Sequence, residues 1–568
     1  MVLVDARRLT GPNLLSRAPL VIVELTLDPT ETMERALDVY RSELGRMRVS
    51  LGFPAEIVPV VRAYQGGAVF GYEAPIDVMV ACAEMSEWAA TSAVAVLASH
   101  DSLALEPARG EIAVMLEAQR SPRKLALVRE ARIRGLPFRW DDDRVGIGEG
   151  RRSVSFANDS LPDATSVAWD KLGAIPTALV TGTNGKTTSA RLLARVGREA
   201  GLVVGSTSTD GITVGSETLE SGDWTGPAAA RIVLGRTDVD LAVLETARGG
   251  ILRRGLGLDA CDAALITNVS DDHLGLYGID DVAAMTRVKA VAAEIVRSTG
   301  TVILNASDKN LVDLARGLAP SVTFFADLEA RDDGAASVVE GHRAAGKHAV
   351  FTRDGVIVCA RGEEERALVR VSDVPITFDG AARYNVENVL GVVATARALG
   401  LADDAIVRAV SGFGMADNPR RGELIERRGV RVFVDFGHNP EAVRAALRLV
   451  LSLQKARPGR LTIVTGSAGD RTDHEITDVA QAVFEARPDR VFVRELPGYL
   501  RGRAPGEVPA LLRRALLGLG LREDAFAIAP SEVDALRAAF KDARAGDLVA
   551  LLIHLDHEAV HAFLDAQG

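Results

Sequence analysis

The sequence predicts a multidomain α/β protein, with two successive α/β domains behind a smaller α+β domain. Three observations carry that expectation. The 568 residues exceed what one hydrophobic core normally holds. From about residue 172, short Val/Ile/Leu-rich runs alternate with amphipathic helical patterns, as in strands buried on both faces of a parallel sheet. Before about residue 160, strand-like and helical runs mix without that alternation. Composition agrees with an ordinary globular enzyme, at 47% hydrophobic and 25% charged residues. A formal charge of -11 argues against a general nucleic-acid binder, which carries a basic excess. No apolar run approaches the ~20 residues that span a bilayer, and the opening MVLVDARRLTGPN lacks the apolar core of a signal peptide. Cys82, Cys261 and Cys359 show no CxxC spacing, so neither a disulfide framework nor a zinc knuckle is expected. The expected location is the cytoplasm, with no membrane or nucleic-acid partner.

In chain order, VIVELTLD at 21–28 alternates as a strand does, while ETMERALDVYRSELGRM and MVACAEMSEWAATSAVAVLA have helical spacing. FANDSLPD at 156–163 collects turn formers and reads as a linker. TALVTG, DLAVLETA, DAALITNV and TVILNA are the expected parallel strands of the first α/β domain. VVEGHRAAGKHAVFTRDGVIVCARG suggests hairpins. RVFVDFG, RLTIVTG, DRVFVRE and DLVALLIHL supply the strands of the second, interleaved with helices such as EAVRAALRLVLSL. The expected domains are 1–160, 170–415 and 416–568.

The sharpest local signal is Thr181-Gly-Thr-Asn-Gly-Lys-Thr-Thr188, between the strand TALV and the helix SARLLARVGREA. Gly182 and Gly185 let backbone N–H groups of the loop, with Thr183 and Asn184, approach phosphate oxygens. The following helix adds unpaired N–H donors and the positive end of its dipole. Lys186 can neutralise β/γ-phosphate charge, and the Thr187 hydroxyl suits Mg²⁺, with Thr188 beside it. An ordinary strand-to-helix turn would not need GK[ST] in this context, so the expected ligand is the phosphate tail of a nucleotide. Farther on, Glu245 in LAVLETARGG and His273 in ITNVSDDHLG stand at predicted strand ends, where open α/β sheets place ligand sites. A carboxylate and an imidazole there can hold Mg²⁺, whereas each residue taken singly reads as a solvated polar group.

GTNGKTT, whose first Gly lies three residues before the second and so closer than in the usual GxxxxGK[ST] loop, resembles the ATP loop of the Mur ligase superfamily, and further motifs follow in the family's order. Lys289, in MTRVKAVAAEIV, matches the lysine that these ligases carbamylate to help bind metal. The resemblance implies a metal set of Thr187, Glu245, His273 and carbamylated Lys289. Tyr384-Asn-Val-Glu-Asn388 resembles HNxxN, which implies that Asn388 meets adenine; Tyr stands where the family has His. Arg420-Arg421-Gly-Glu423 resembles GRxE, which places Arg421 near the γ-phosphate; Arg420 replaces the family's Gly. Asp435-Phe-Gly-His438-Asn439-Pro440 resembles DxAHNP, implying Asp435 at the ribose and His438 and Asn439 at the active site. Asp417-Asn-Pro-Arg420 spells a box of the diaminopimelate-adding ligases but lies too early in the chain to be that box.

STSTDGITV, ETARGGILR and RELPGYLRGRAPGEV resemble the Mur-like half of cyanophycin synthetases, and RRLTGPNLLS, VACAEMSEWA and REARIRGLPF resemble their N-terminal domain. The ATP-grasp domain that separates these halves in those enzymes has no counterpart in the short stretch around Leu161–Trp169. The resemblance implies one ATP-dependent ligation through an acyl phosphate, joining an amino acid such as arginine or lysine to an aspartyl-type carboxylate. A peptidoglycan- or folate-type ligase and a degenerate nucleotide-binding partner module are the alternatives. Asp470 and Arg471, after the strand LTIVTG, and Arg501 of RGRAPGE are candidate substrate residues. The wide spacing of His554, His557 and His561 near the chain end reads as a polar helix face rather than a metal cluster, and Asp141–Asp143 as a turn rather than a cation site. The oligomeric state stays open, with a homo-oligomer among the expectations.

Overall fold

A computed structural model describes residues 1–272, 274–330 and 332–568. The chain forms two compact units, Met1–Phe324 with Gly391–Ala405, and Phe325–Leu390 with Ile406–Gly568.

The first unit begins with a four-stranded antiparallel sheet in the order Val2–Leu9, Leu20–Thr26, Gly67–Glu73, Val60–Tyr64. The strand read as alternating is buried on both faces. Val21, Val23 and Leu25 join a core with Tyr40 and Phe70, while Leu20 and Ile22 pack with Leu9 and Val69 on the other side. The helices Met33–Ser50 and Met79–Leu97 stand where the spacing predicts them, the first capped by Thr32, whose side chain accepts from the Arg35 N–H. Asp141 makes the expected turn by accepting from the backbone N–H groups of Asp143 and Arg144 at 2.9 and 2.7 Å. Between the strand Val154–Ala157 and the strand Thr177–Thr181 the described chain holds only short 3₁₀ turns.

Five parallel strands follow in the same unit, ordered Val204–Ser208, Leu241–Glu245, Thr177–Thr181, Cys261–Ile266, Val296–Asn305. The antiparallel strands Gly211–Val214 and Glu217–Ser221 extend the Val204 edge. The phosphate-loop strand therefore lies between the strands that end in Glu245 and run into Thr267-Asn268. The N-terminal part packs on this region: Arg62 donates to the carbonyls of Tyr277 and Gly278 at 2.7 Å, and the Leu256 N–H donates to the Pro12 carbonyl at 2.8 Å.

In the second unit, His348–Arg353, Val356–Arg361 and Glu364–Arg370 form the expected antiparallel hairpins. The preceding VVEGHRA is not a strand. It belongs to the helix Asp333–Ala344, because Asp332 caps the N–H groups of Gly334 and Ala335, and Ala335 and Val339 share a buried helical face. A six-stranded sheet follows, ordered Arg421–Arg427, Val430–Asp435, Leu548–Leu552, Leu461–Thr465, Arg490–Arg494, Phe526–Ala529. It is parallel except for the first pair. Helices Pro440–Ala456, Asp473–Glu485 and Glu507–Gly518 share one core, and Glu532–Asp542 and His557–Asp565 share another. This is the expected second α/β domain, Rossmann-like in its mainly parallel sheet. No described helix is long and apolar enough to cross a membrane.

Candidate active site

In the first unit the site grows from the C-terminal edge of the parallel sheet. Gly182 follows the fully buried strand Thr177–Thr181 with φ +146°, and a Cβ there would lie 1.9 Å from Thr267 Oγ1. Gly185, at φ +84°, turns the chain into the helix Lys186–Glu199. The loop is braced from the next strand. The Thr183 N–H donates to the Asn268 carbonyl at 2.9 Å, the Asn184 N–H to Asn268 Oδ1 at 2.9 Å, and Thr267 Oγ1 to the Asn184 carbonyl at 2.6 Å. The Ser270 N–H donates to Thr183 Oγ1 at 3.0 Å. Lys186 Nζ donates to the Thr183 carbonyl at 2.8 Å, so its charge sits over the loop. Thr188 is buried in the first helical turn.

The Thr187 hydroxyl donates to Glu245 Oε1 at 3.2 Å and lies 3.1 Å from Thr209 Oγ1. Glu245 is the last residue of its strand and only 2% exposed. Three hard oxygen donors thus converge beside the loop, the donor chemistry that Mg²⁺ selects. His273, expected in the same set, lies outside the described residues. Lys289 is 3% exposed on the helix Val282–Glu294. Burial pushes its amine well below the usual lysine range; the charges of Lys186 and Arg248 push the same way, while Asp272 and Asp308 oppose them. A neutral amine is the form that can take up CO₂.

In the second unit, Arg421 and Asp435 are register partners on neighbouring strands. The Arg421 guanidinium lies over the Phe436 ring at 4.9 Å, and that ring packs 5.2 Å from His438. Burial raises the Asp435 carboxyl to about 6, with Arg421 and the Gly437 and Gly422 N–H groups opposing the rise. Arg420 has φ +64°, which explains why the related motif carries Gly there; an Arg in this conformation costs about 1 kcal/mol. Asp417–Arg420, the stray four-residue box, forms the connector into this strand, with the Arg421 N–H donating to the Asn418 carbonyl at 3.3 Å. The Asn388 amide donates to Asn385 Oδ1 at 3.1 Å, and Asn385 in turn donates to the Ile376 carbonyl at 2.8 Å. Asn439 caps the helix Pro440–Ala456, accepting from the Ala442 N–H at 2.9 Å, so part of its side chain has a structural task.

The Asp470, Arg471 and Arg501 candidates meet. Arg501 pairs with Asp470 and lies over Tyr499 at 5.0 Å, and buried Arg471 pairs with Glu475 at 3.4 Å. Arg503 of the same RGR motif clamps this loop. It donates to the Gly469 and Arg471 carbonyls at 3.0 and 2.8 Å and pairs with Asp473 and Glu507, both at 2.7 Å. The three histidines do not share one helix face. His554 precedes the helix and is half-buried, 2.5 Å from an Arg494 guanidinium nitrogen and 5.3 Å from Phe436, whereas His557 and His561 face Glu423. Thr209, Thr267, Asn268 and Arg503 were not singled out by sequence, although each stands in or beside a noted motif.

Two family models match the chain: the Mur ligase middle domain over residues 180–396 and the Mur ligase glutamate ligase domain over 420–552. The chain is 34% identical over 382 residues to a cyanophycin synthetase of Crocosphaera subtropica, covering 66% of this chain and 42% of that protein. It is 36% identical over 345 residues to that of Synechocystis, covering 60% and 38%. The chain thus spans about two fifths of the length of these curated relatives. A UDP-N-acetylmuramoyl-L-alanyl-D-glutamate–2,6-diaminopimelate ligase of Geobacter metallireducens is 26% identical over 456 residues, covering 74% of this chain and 81% of that one. Among solved structures, E. coli FolC in complex with DHPP and ADP has a TM-score of 0.51 at 20% identity, over 69% of this chain and 89% of that one. A bifunctional folylpolyglutamate synthase/dihydrofolate synthase with Mn, AMPPNP and L-glutamate bound has 0.50 at 19%, over 68% and 89%. With two consecutive domain models of one family over more than half of its length, and with that fold, the chain belongs to the Mur ligase family.

Proposed function

We propose that the chain is an ATP-dependent carboxylate–amine ligase that works through an acyl phosphate and releases ADP and phosphate. The observation that carries this reading is the braced glycine loop, which sets Lys186 and the Thr187–Glu245–Thr209 oxygens at one sheet edge. A carboxylate does not condense with an amine in water without activation. In the proposed reaction an acceptor carboxylate oxygen attacks the γ-phosphorus and ADP leaves. The amine then attacks the acyl carbon, phosphate departs, and the amine loses a proton to give the amide.

The protein's work is positioning and charge neutralisation. Thr183 and Asn184 donate their N–H groups to Asn268, so the first turn of the helix Lys186–Glu199 and the Lys186 amine hold the phosphate tail, and Arg421 spreads charge on the transferring group. Asp435 and Asn388 take the ribose and adenine, while His438 and Asn439 belong to the reacting centre. Thr187, Glu245, His273 and a carbamylated Lys289 would hold Mg²⁺, which supplies charge neutralisation at the phosphates. Asp470, Arg471 and Arg501 take the amino-acid substrate. Dependence on ATP puts this work in the cytoplasm.

The leading substrates are a basic amino acid, arginine or lysine, and an aspartyl-type carboxylate. Sequence identity of 34–36% with cyanophycin synthetases supports that choice over a peptidoglycan-type acceptor. The test is ADP release from Mg-ATP with arginine or lysine and β-aspartyl acceptors, with mass spectrometry of the product. Lys186→Ala should lower turnover by about 10³-fold or more, and chelation of Mg²⁺ should stop it. AMP and pyrophosphate as products would overturn the acyl-phosphate route, and turnover only with UDP-muramyl peptides would move the chain to peptidoglycan chemistry.

A further inference from the structure

A second donor cluster lies in the second unit, on the strand that also carries Arg421. The turn after the strand Leu548–Leu552 is held by Glu532, whose carboxylate accepts from the N–H groups of His554, Leu555 and Asp556 at 2.7, 3.1 and 2.8 Å. That turn starts the helix His557–Asp565, and its i,i+4 spacing puts His557 and His561 on one face. The face meets Glu423, two residues beyond Arg421 on the strand Arg421–Arg427. His557 Nε2 lies 3.2 Å from Glu423 Oε1, and His561 Nε2 lies 3.0 Å from Oε2. The imidazole centroids are 4.3 Å apart.

These spacings are those of ligands around one small ion. With metal–nitrogen bonds of ~2.0–2.1 Å, neighbouring corners of a zinc tetrahedron stand about 3.3 Å apart. The three donor atoms all fall within 4.8 Å of one another. Glu423 is nearly buried at 8% side-chain exposure, while His557 and His561 keep 27% and 31%. The ring edges of both histidines reach solvent, while the His561 Nε2 donor itself is buried. Two imidazoles and one carboxylate form a ligand set that zinc uses, whereas Mg²⁺ and Ca²⁺ prefer oxygen alone. The Arg420 N–H also donates to Glu423 Oε1 and fixes the carboxylate's direction.

We propose that Glu423, His557 and His561 form a site for a divalent transition-metal ion, Zn²⁺ by donor type, that clips the helix His557–Asp565 to the strand carrying Arg421. The metal-stripped full chain, in millimolar Mg²⁺, is titrated with Co²⁺. One equivalent should give the strong visible absorption of tetrahedral cobalt, and Zn²⁺ should displace it. His561→Ala and His557→Gln should each weaken binding by about 100-fold or more, while circular dichroism stays that of the unaltered chain. Absence of the tetrahedral spectrum in the unaltered chain, or equal affinity in folded variants, overturns the proposal. Should the variants misfold, zinc-edge X-ray absorption on the unaltered chain decides: two imidazole nitrogens and a carboxylate oxygen support the site, and any other shell sinks it.

Discussion

Lys289 shows how one side chain acquires its chemistry from its surroundings. A solvated lysine is protonated at neutral pH and inert toward CO₂; here burial and the charge of Lys186 favour the free amine. Incubation with ¹³C-bicarbonate should give a single carbamate carbon resonance that is absent in Lys289→Ala, and its absence from the unaltered chain would remove Lys289 from the metal set. Asp435 titrates in the opposite sense. Its carboxyl is raised from 3.8 to about 6, so the protonated form is favoured in the fold. The stability it contributes is full below 3.8 and is lost as pH rises through 6. In the role proposed at the ribose, Asp435 accepts hydroxyl hydrogen bonds best when ionised, and that form grows roughly between pH 5 and pH 7, around the folded value of about 6. The KM for ATP should fall over that interval, and Asp435→Asn should flatten the profile.

At the scale of elements, Arg503 shows what a motif can conceal. RGRAPGE reads as a substrate signature, yet its second arginine holds the loop 469–473 by two carbonyls and the Asp473 carboxylate, and is itself anchored by Glu507. Arg503→Ala should raise KM for the amino-acid substrate about tenfold or more. KM for ATP should stay unchanged, as steady-state ADP release can measure. Element types were largely legible because strands buried on both faces carry continuous Val/Ile/Leu runs. The exception at VVEGHRA has a local cause: Asp332 supplies a cap, and Ala335 and Val339 lie four residues apart, a helical signal that adjoining β-branched residues obscured. The burial of the strand Leu20–Thr26 on both faces was hidden for a different reason, since Leu20 and Ile22 form a second small core with Leu9 and Val69 of the flanking strands, against which Leu15 packs.

At the scale of the whole molecule, segment 325–390 joins the compact unit that contains 406–568, although in sequence it follows the phosphate-loop strands directly. Nucleotide binding to the native chain alone must raise its stability by mass action. Mg-AMPPNP at about 100 times its Kd supplies about 2.7 kcal/mol, which should lift the melting temperature by a few degrees in a fluorescence melt; Lys186→Ala should abolish the shift. Sequence by itself determined the chemistry that rests on close covalent spacing: a glycine loop between a strand and a helix, carboxylates at strand ends, and a lysine on an apolar helix. Tertiary structure alone decided which distant groups meet. Thr209 reaches Thr187, Arg501 reaches Asp470, and Glu423 reaches two histidines more than a hundred residues away, because strand order and register set those distances and no local pattern encodes them.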